Sequence, residues 1–136
     1  MRSTTTPAAT AGGPLRILVA EDNIINQMVA SAMLTKLGHI GVVVGDGEKA
    51  LKCLAKLKFD VVLMDVMMPV LDGLGALGAI RALEQTTGAH LPVIIVTAHT
   101  EPGDIERFKS AGADGYLAKP IGLDLLEGEL KRVLSV

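Results

Sequence analysis

Five short runs of aliphatic and β-branched residues recur along the chain, and segments with the apolar spacing of helices separate them. The runs are LRILVA, GVVVG, DVVLMD, LPVIIVTA and DGYLAKP, at residues 15–20, 41–45, 60–65, 91–98 and 114–120. Apolar runs of this length, bounded by Gly, Asp and Pro, are typical of buried strands. Strands that alternate with helices predict an α/β domain with a parallel sheet covered on both faces.

Four predicted helices lie between these runs, and a fifth follows the last one. The apolar stripe of the first, residues 24–37, consists of Ile25, Val29, Met33 and Leu37. The third, residues 74–84, contains Gly75 and Gly78, and each glycine costs a helix about 1 kcal/mol relative to alanine. We therefore expect the third helix to be short or mobile.

Composition restricts the class of protein. The 136 residues are 49% apolar and 21% charged, which indicates one globular domain with a sizeable core. Residues 1–14, rich in Thr, Ala, Gly and Pro, are interpreted as a flexible linker, so the folded domain spans residues 15–136. Lys and Arg number 13 against 15 acids, without a basic aromatic patch, so nucleic-acid binding is not expected. With one cysteine, Cys53, and no signal-peptide core or apolar span, we expect a cytoplasmic domain without membrane contact.

Polar side chains stand at the carboxyl ends of four of the five predicted strands. They are Glu21 and Asp22 after the first, Asp65 after the third, Thr97 after the fourth and Lys119 after the fifth. Ligands of parallel α/β sheets collect at this edge. If the first and third strands are neighbours, Asp22 and Asp65 repel each other by about 4 kcal/mol at ~4 Å and an effective dielectric of about 20. A cation bound by oxygen alone would relieve this repulsion, and few protein ligands favour Mg²⁺ over Ca²⁺.

Each of these residues, taken alone, has a simpler interpretation. The pair Asp22-Asn23 is an ordinary helix N-cap, and Asp65 is suited to capping the turn that follows it. Thr97 is a typical strand residue, and Lys119 a typical solvated charge. Their coincidence at one edge of the sheet is what favours a functional site.

Four motifs around these residues resemble the receiver (response-regulator) domains of two-component phosphorelays, from about Leu15 to Val136. ILVAEDNIINQ is similar to the family's first strand and acidic pair, and VVLMDVMMPVLDG to its phosphoacceptor loop. LPVIIVTAH is similar to its switch strand, and ADGYLAKPI to its lysine-proline corner. The EDN..NQ and GYLAKPI segments are most similar to receivers of hybrid histidine kinases. The resemblance implies a flavodoxin-like, doubly wound sheet of order 2-1-3-4-5 with five helices.

The resemblance also implies the chemistry of the site. Asp65 would be the nucleophile that accepts a phosphoryl group from phosphohistidine. Magnesium would be held by Glu21, Asp22, Asp65 and the backbone carbonyl of Met67, with Glu21 suited to binding through water. Lys119 and the hydroxyl of Thr97 would contact phosphoryl oxygens.

A switch is implied by the same resemblance. Thr97 would move toward the phosphoryl group, and Tyr116 would turn inward behind it, although Tyr116 also suits a plain core ring. The peptide bond between Lys119 and Pro120 would be cis. Met67 and His99 would border the path of attacking water. The surface of the fourth helix, fifth strand and fifth helix would then change and alter partner binding.

The phosphodonor would be a histidine kinase or a histidine phosphotransfer domain. In relay receivers a patch comparable to Ile24-Ile25 docks a helix of the phosphotransfer domain, although core packing explains at least one of these isoleucines equally well. The chain would not be a conventional turnover enzyme. It would catalyse its own phosphorylation and dephosphorylation, and a place within a membrane-tethered hybrid kinase is compatible with the sequence.

Three other functions are known for proteins with this fold or with some of these site residues, and the sequence argues against each. A Mg²⁺-dependent phosphatase with an aspartate nucleophile needs a second carboxylate two residues after Asp65, where Met67 stands. An FMN carrier needs a phosphate cradle of Gly, Ser and Thr, but the loop after the first strand is acidic. A degenerate receiver used only for docking conflicts with the presence of every chemical residue.

Overall fold

The computed structural model of the chain describes residues 13–134, and the predicted linker, residues 1–14, falls almost wholly outside them. Strands and helices alternate: β1 Arg16–Ala20, α1 Ile24–Lys36, β2 Ile40–Val44, α2 Gly47–Lys56, β3 Val61–Asp65, α3 Gly73–Thr87, β4 Val93–Thr97, α4 Pro102–Ser110, β5 Gly115–Ala118 and α5 Leu123–Leu134. All the strands are parallel, in the order β2-β1-β3-β4-β5. The predicted fold class, strand order and helix count are confirmed within residues 13–134.

The centre of the sheet is apolar on both faces. Every residue of β3 and β4 is buried, as expected when helices cover a parallel sheet on both sides. On one face the strands pack against the α1 and α5 residues Ala30, Leu34, Leu126 and Leu130. On the other they pack against the α2, α3 and α4 residues Ala50, Ala76, Leu77, Ile80 and Phe108. This two-sided core holds the strand ends rigidly, and with them the residues at the carboxyl edge.

The buried face of α1 differs from the predicted stripe. Ala30 and Leu34 are buried, whereas Ile25 and Val29 are exposed. The apolar spacing was correct for a helix, but periodicity alone does not distinguish a face that packs on the sheet from one that meets solvent. The stripe prediction was therefore wrong at its first two positions, and α1 presents an apolar face outward.

The third helix is the longest in residues 13–134, with 15 residues, so the expectation of a short helix was wrong. The side chain of Asp72 accepts from Gly75 N–H at 2.7 Å and caps its start. Tertiary packing through Ala76, Leu77 and Ile80 outweighs the low helix propensity of the glycines. Neither α3 nor any other helix of this region is both long and apolar enough to cross a membrane.

Candidate functional site

Three acids converge at the carboxyl edge of β1 and β3. Pairing of Ala20 with Met64 brings the residues that follow β1 beside the end of β3. One carboxylate oxygen from each of Glu21, Asp22 and Asp65 lies within 4.8 Å of the others. Glu21 and Asp65 are only 5% and 4% exposed, and Asp22 faces solvent. The structure therefore brings together the three side chains that the sequence predicted to meet.

Asp65 occupies the last position of β3, opposite Val96 of β4. Its Oδ1 accepts a hydrogen bond from the backbone N–H of Met67 at 3.3 Å. A Cβ atom at Gly73 would overlap the backbone carbonyl of Asp65. The first residue of α3 can therefore lie this close to the end of β3 only if it is glycine. The backbone around the carboxylate is thus fixed by both the strand and the following helix.

Lys119 supplies the positive charge of the cluster. Its Nζ lies 2.9 Å from Asp65 Oδ2 and 3.1 Å from Glu21 Oε1. Burial alone lowers the pKa of Lys119, but hydrogen bonds to the two carboxylates outweigh burial and raise that pKa above its ordinary value. The peptide bond that follows, Lys119–Pro120, is cis. One ammonium group therefore contacts two of the three carboxylates, those of Glu21 and Asp65.

The loop after β1 is held by Asn23, one of the two residues predicted to cap α1, and by Gln27, for which the sequence predicted no role. The Gln27 side-chain amide donates to the Glu21 carbonyl at 2.7 Å, and Asn23 N–H donates to Glu21 Oε2 at 3.0 Å. Asn23, rather than Asp22, caps α1 by accepting from Asn26 N–H at 3.0 Å. The EDN..NQ pattern contained these residues, but the contact of Gln27 with a backbone carbonyl has no sequence signature. Asp22 is consequently left free of a capping role.

Thr97 and Tyr116, the two predicted switch residues, lie on neighbouring strands. Thr97 is buried at the end of β4, and its hydroxyl accepts from His99 N–H at 2.9 Å. Tyr116 is partly exposed on β5, so the alternative of a core ring is wrong. Its N–H donates to Glu129 Oε2 at 3.0 Å, and its ring borders an open cavity of about 500 Å³ between α4 and α5.

The donor set of the cluster suits a hard cation. All three close ligands are carboxylate oxygens, without His or Cys, which is the chemistry of Mg²⁺ rather than of a transition metal. Met67 is the second residue after Asp65, so the carboxylate that a phosphatase would use there is absent. The arrangement can hold a divalent cation and a phosphoryl group beside one carboxylate.

Most of the chain matches a known protein family. The family described as "Response regulator receiver domain" matches residues 17–131. The chain is 44% identical over 118 residues to hybrid signal transduction histidine kinase I of Dictyostelium discoideum, covering 83% of this chain and 7% of that protein. Hybrid signal transduction histidine kinase H of the same organism is 42% identical over 123 residues, covering 88% of this chain and 9% of that protein. The chain thus spans less than a tenth of the length of these two relatives.

Solved structures show the same fold. The receiver domain of a sensor histidine kinase from Pseudomonas aeruginosa PAO1, crystallised with a magnesium ion in its active-site cleft, aligns with a TM-score of 0.80 at 40% identity. The alignment covers 91% of this chain and all of that one. The complex of the histidine phosphotransfer protein Ypd1 with the receiver domain of Ssk1, from Saccharomyces cerevisiae, aligns at 0.85 and 25% identity, covering 93% and 92%.

Proposed function

The chain belongs to the response regulator receiver domain family, and on that basis we propose that Asp65 is the residue to which a phosphohistidine transfers its phosphoryl group. The domain acts in a phosphorelay as an acceptor and not as a small-molecule enzyme. We propose that the folded domain begins at Leu15, because Leu15 is already buried and its carbonyl accepts from Ile40 N–H at 2.8 Å.

The close approach of three carboxylates to one another, with a single lysine in contact with two of them, is the observation that carries this proposal. Like charges at ~4 Å repel by about 4 kcal/mol at an effective dielectric of about 20, and Lys119 can neutralise only one of them. A stable domain has no need of such an excess of negative charge. The excess negative charge is useful at a site that binds a cation and a phosphoryl group. Of the two acids that Lys119 contacts, buried Asp65 is the nearer.

In the proposed reaction a carboxylate oxygen of Asp65 forms a bond to phosphorus while the phosphorus–nitrogen bond of the donor breaks. The imidazole nitrogen leaves with the electron pair. Lys119 holds Asp65 in position and would then bind a phosphoryl oxygen as a point charge, and the Thr97 hydroxyl would donate to another. Glu21, Asp22, Asp65 and the Met67 carbonyl would hold Mg²⁺, which when bound offsets charge on the transferring oxygens.

The output of the domain is proposed to be a change of surface. Thr97 would give up its bond from His99 N–H to reach the phosphoryl group, and the space behind it would admit the ring of Tyr116. Tyr116 borders the cavity between α4 and α5, so its inward turn would reshape a surface that a partner can bind. An energy difference of a few kcal/mol is enough to shift such a population substantially.

The phosphodonor is proposed to be a histidine kinase or a histidine phosphotransfer domain that docks on the outward face of α1. Ile24, Ile25 and Met28 are exposed there, immediately after the acidic pair. The Ypd1 complex and the hybrid kinase relatives support this kind of donor. We propose a cytoplasmic location, which agrees with a sequence that holds a single cysteine, Cys53, and no partner for it.

Labelling with acetyl phosphate and Mg²⁺, followed by intact-mass spectrometry, tests the site. Wild-type protein should gain one phosphoryl group, and Asp65→Asn should gain none while its circular dichroism spectrum stays unchanged. Asp114→Asn, which changes a carboxylate at the opposite edge of the sheet, is the matched control and should be labelled like the wild type. Labelling of Asp65→Asn at the wild-type rate would contradict the assignment.

A further inference from the structure

Gln27 holds the peptide bond that joins the two acids of the loop between β1 and α1. It lies half-buried in the first turn of α1, and its side-chain amide reaches back to donate to the Glu21 carbonyl at 2.7 Å. That carbonyl belongs to the peptide bond between Glu21 and Asp22. The backbone N–H of Glu21 donates to the carbonyl of Val44 in β2 at 3.0 Å. Both backbone polar groups of Glu21 are therefore fixed, one by the sheet and the other by Gln27.

The same residue also anchors the far end of this loop. The backbone N–H of Gln27 donates to the Asn23 carbonyl at 2.9 Å, and Asn23 N–H donates to Glu21 Oε2 at 3.0 Å. Asp22 consequently lies between two anchored residues, although its own side chain faces solvent. The backbone that carries the Asp22 carboxylate is thus fixed on both sides.

The loop needs such an anchor before any cation binds. Carboxylate oxygens of Glu21, Asp22 and Asp65 lie within 4.8 Å of one another, and their repulsion favours a loop that moves away from β3. Lys119 contacts Glu21 and Asp65, and the third acid, Asp22, is held through its backbone. A neutral amide can hold that backbone without competing with a metal ion for the carboxylates, as a Lys or Arg would. Residues 21–30 contain neither Lys nor Arg.

We propose that Gln27 is a positioning residue that preorganises Glu21 and Asp22 for Mg²⁺, and this inference rests on the proposed function. With its side-chain hydrogen bond in place, the two acids already lie close to Asp65 in the metal-free protein. Without that bond the loop relaxes away from Asp65, and Mg²⁺ binding has to order it again. The ordering cost then lowers the affinity for Mg²⁺, whereas the reaction at Asp65 is unchanged once the metal is bound.

Gln27→Met tests the proposal, because methionine keeps the length of the side chain but cannot donate a hydrogen bond. The readouts are the Mg²⁺ dissociation constant from ¹⁵N amide shifts, the heteronuclear NOE of residues 21–23, and the rate of labelling by acetyl phosphate at saturating Mg²⁺. We expect the dissociation constant to rise about fivefold, the equivalent of one net hydrogen bond. The heteronuclear NOE should fall only in the metal-free protein, and labelling should stay within about twofold of wild type, because the metal-bound loop is ordered again.

Gln85→Met, at an exposed glutamine in the last turn of α3, is the matched control and should leave all three readouts unchanged. An unchanged dissociation constant in Gln27→Met, an equal rise in Gln85→Met, or no Mg²⁺ binding by the wild-type domain would overturn the positioning role. A metal-free loop as rigid as in the wild type would overturn it too. Labelling that stays slow at saturating Mg²⁺ would do the same, since Gln27 would then act on the acceptor chemistry itself. Failure of the proposed function would appear separately, as undiminished labelling of Asp65→Asn.

Discussion

Two clusters of charge lie at opposite edges of the same sheet, and they are built differently. At the carboxyl edge three carboxylates lie close together, but only Glu21 and Asp65 share Lys119, and Asp22 faces solvent. At the amino edge, Arg81 donates to Glu84 Oε1 and to Asp114 Oδ2, both at 2.7 Å, and also to the carbonyls of Gly112 and Leu91. The second cluster binds backbone as well as side chains and joins α3 to the starts of β4 and β5.

The carboxylate oxygens of the amino-edge cluster are all hydrogen-bonded. Glu84 Oε2 accepts from Leu91 N–H. Asp114 Oδ2 also accepts from Val93 N–H at 2.8 Å, and Asp114 Oδ1 is bonded to His90 Nε2 at 2.6 Å. At the carboxyl edge the oxygens of Glu21 and Asp65 are hydrogen-bonded as well, but a third carboxylate, that of Asp22, lies beside them, and Lys119 is the cation that contacts the cluster. The contrast teaches that a satisfied polar network stabilises the fold, whereas uncompensated charge at a ligand-binding edge indicates function.

The largest stability effect should come from Arg81→Ala. The variant would leave two partly buried carboxylates without their cation and two carbonyls without a donor, and breaking such a pair costs about 3 kcal/mol. Urea denaturation measures the loss. The folded fraction should still accept phosphoryl from acetyl phosphate, because the cluster is at the far edge of the sheet. A loss below ~1 kcal/mol would show that the network is not structural.

A matched pair of carboxylate-to-amide variants sharpens the comparison. Asp114→Asn should lose about 2 kcal/mol of unfolding free energy, because its charge-assisted bonds to Arg81 are weakened. Asp65→Asn, measured without Mg²⁺, should stay within about 1 kcal/mol of wild type, because relief of repulsion offsets the lost bond to Lys119. Equal losses in the two variants would remove the distinction between the edges.

A smaller effect should appear at the outer strand β5, where Glu129 accepts from Arg132 Nε and from Tyr116 N–H. The Arg132 guanidinium lowers the pKa of Glu129 below its usual range, against the opposing effect of burial and with help from the Tyr116 N–H. Because the pKa of Glu129 is lower in the folded than in the unfolded protein, its charged form stabilises the fold at any pH above the unfolded pKa, which is near 4.5. This contribution disappears as the pH falls through the folded-state pKa.

The test of this pair is the difference in unfolding free energy between wild type and Glu129→Gln as a function of pH. We expect about 0.5 kcal/mol at pH 7, because Arg132 is largely exposed and solvent screens the pair. The difference should shrink below about pH 4.5 and not on the alkaline side. A difference that grows toward acid would show that the pair does not favour the charged carboxylate.

Much of the fold was predictable because local patterns and topology agree. The apolar runs located all five strands within residues 13–134, and the rule for parallel sheets located the acids. The outward face of α1 was not predictable, because an isoleucine that meets solvent has the same spacing as one that meets the core. The length of α3 was missed because Gly75 lowers propensity while distant packing restores the helix.

Contacts between distant segments left no sequence signal. Arg81 and Glu84 are three residues apart and suggest only a surface pair, whereas Asp114 and His90 join them through the fold. The positive φ of Val70 was likewise hidden, because Pro69 predicts a turn but a valine does not predict the left-handed region.

The central claim is that the excess negative charge at the carboxyl edge binds the cation beside Asp65, and a Mg²⁺ titration of ¹⁵N-labelled protein by NMR tests it most directly. We predict saturable shifts in the amides of residues 21–23, 65–68 and 119, none around Arg81 and Asp114, and a weaker affinity in Asp65→Asn. Amide shifts centred on the Arg81 cluster, or none at millimolar Mg²⁺, would contradict the account.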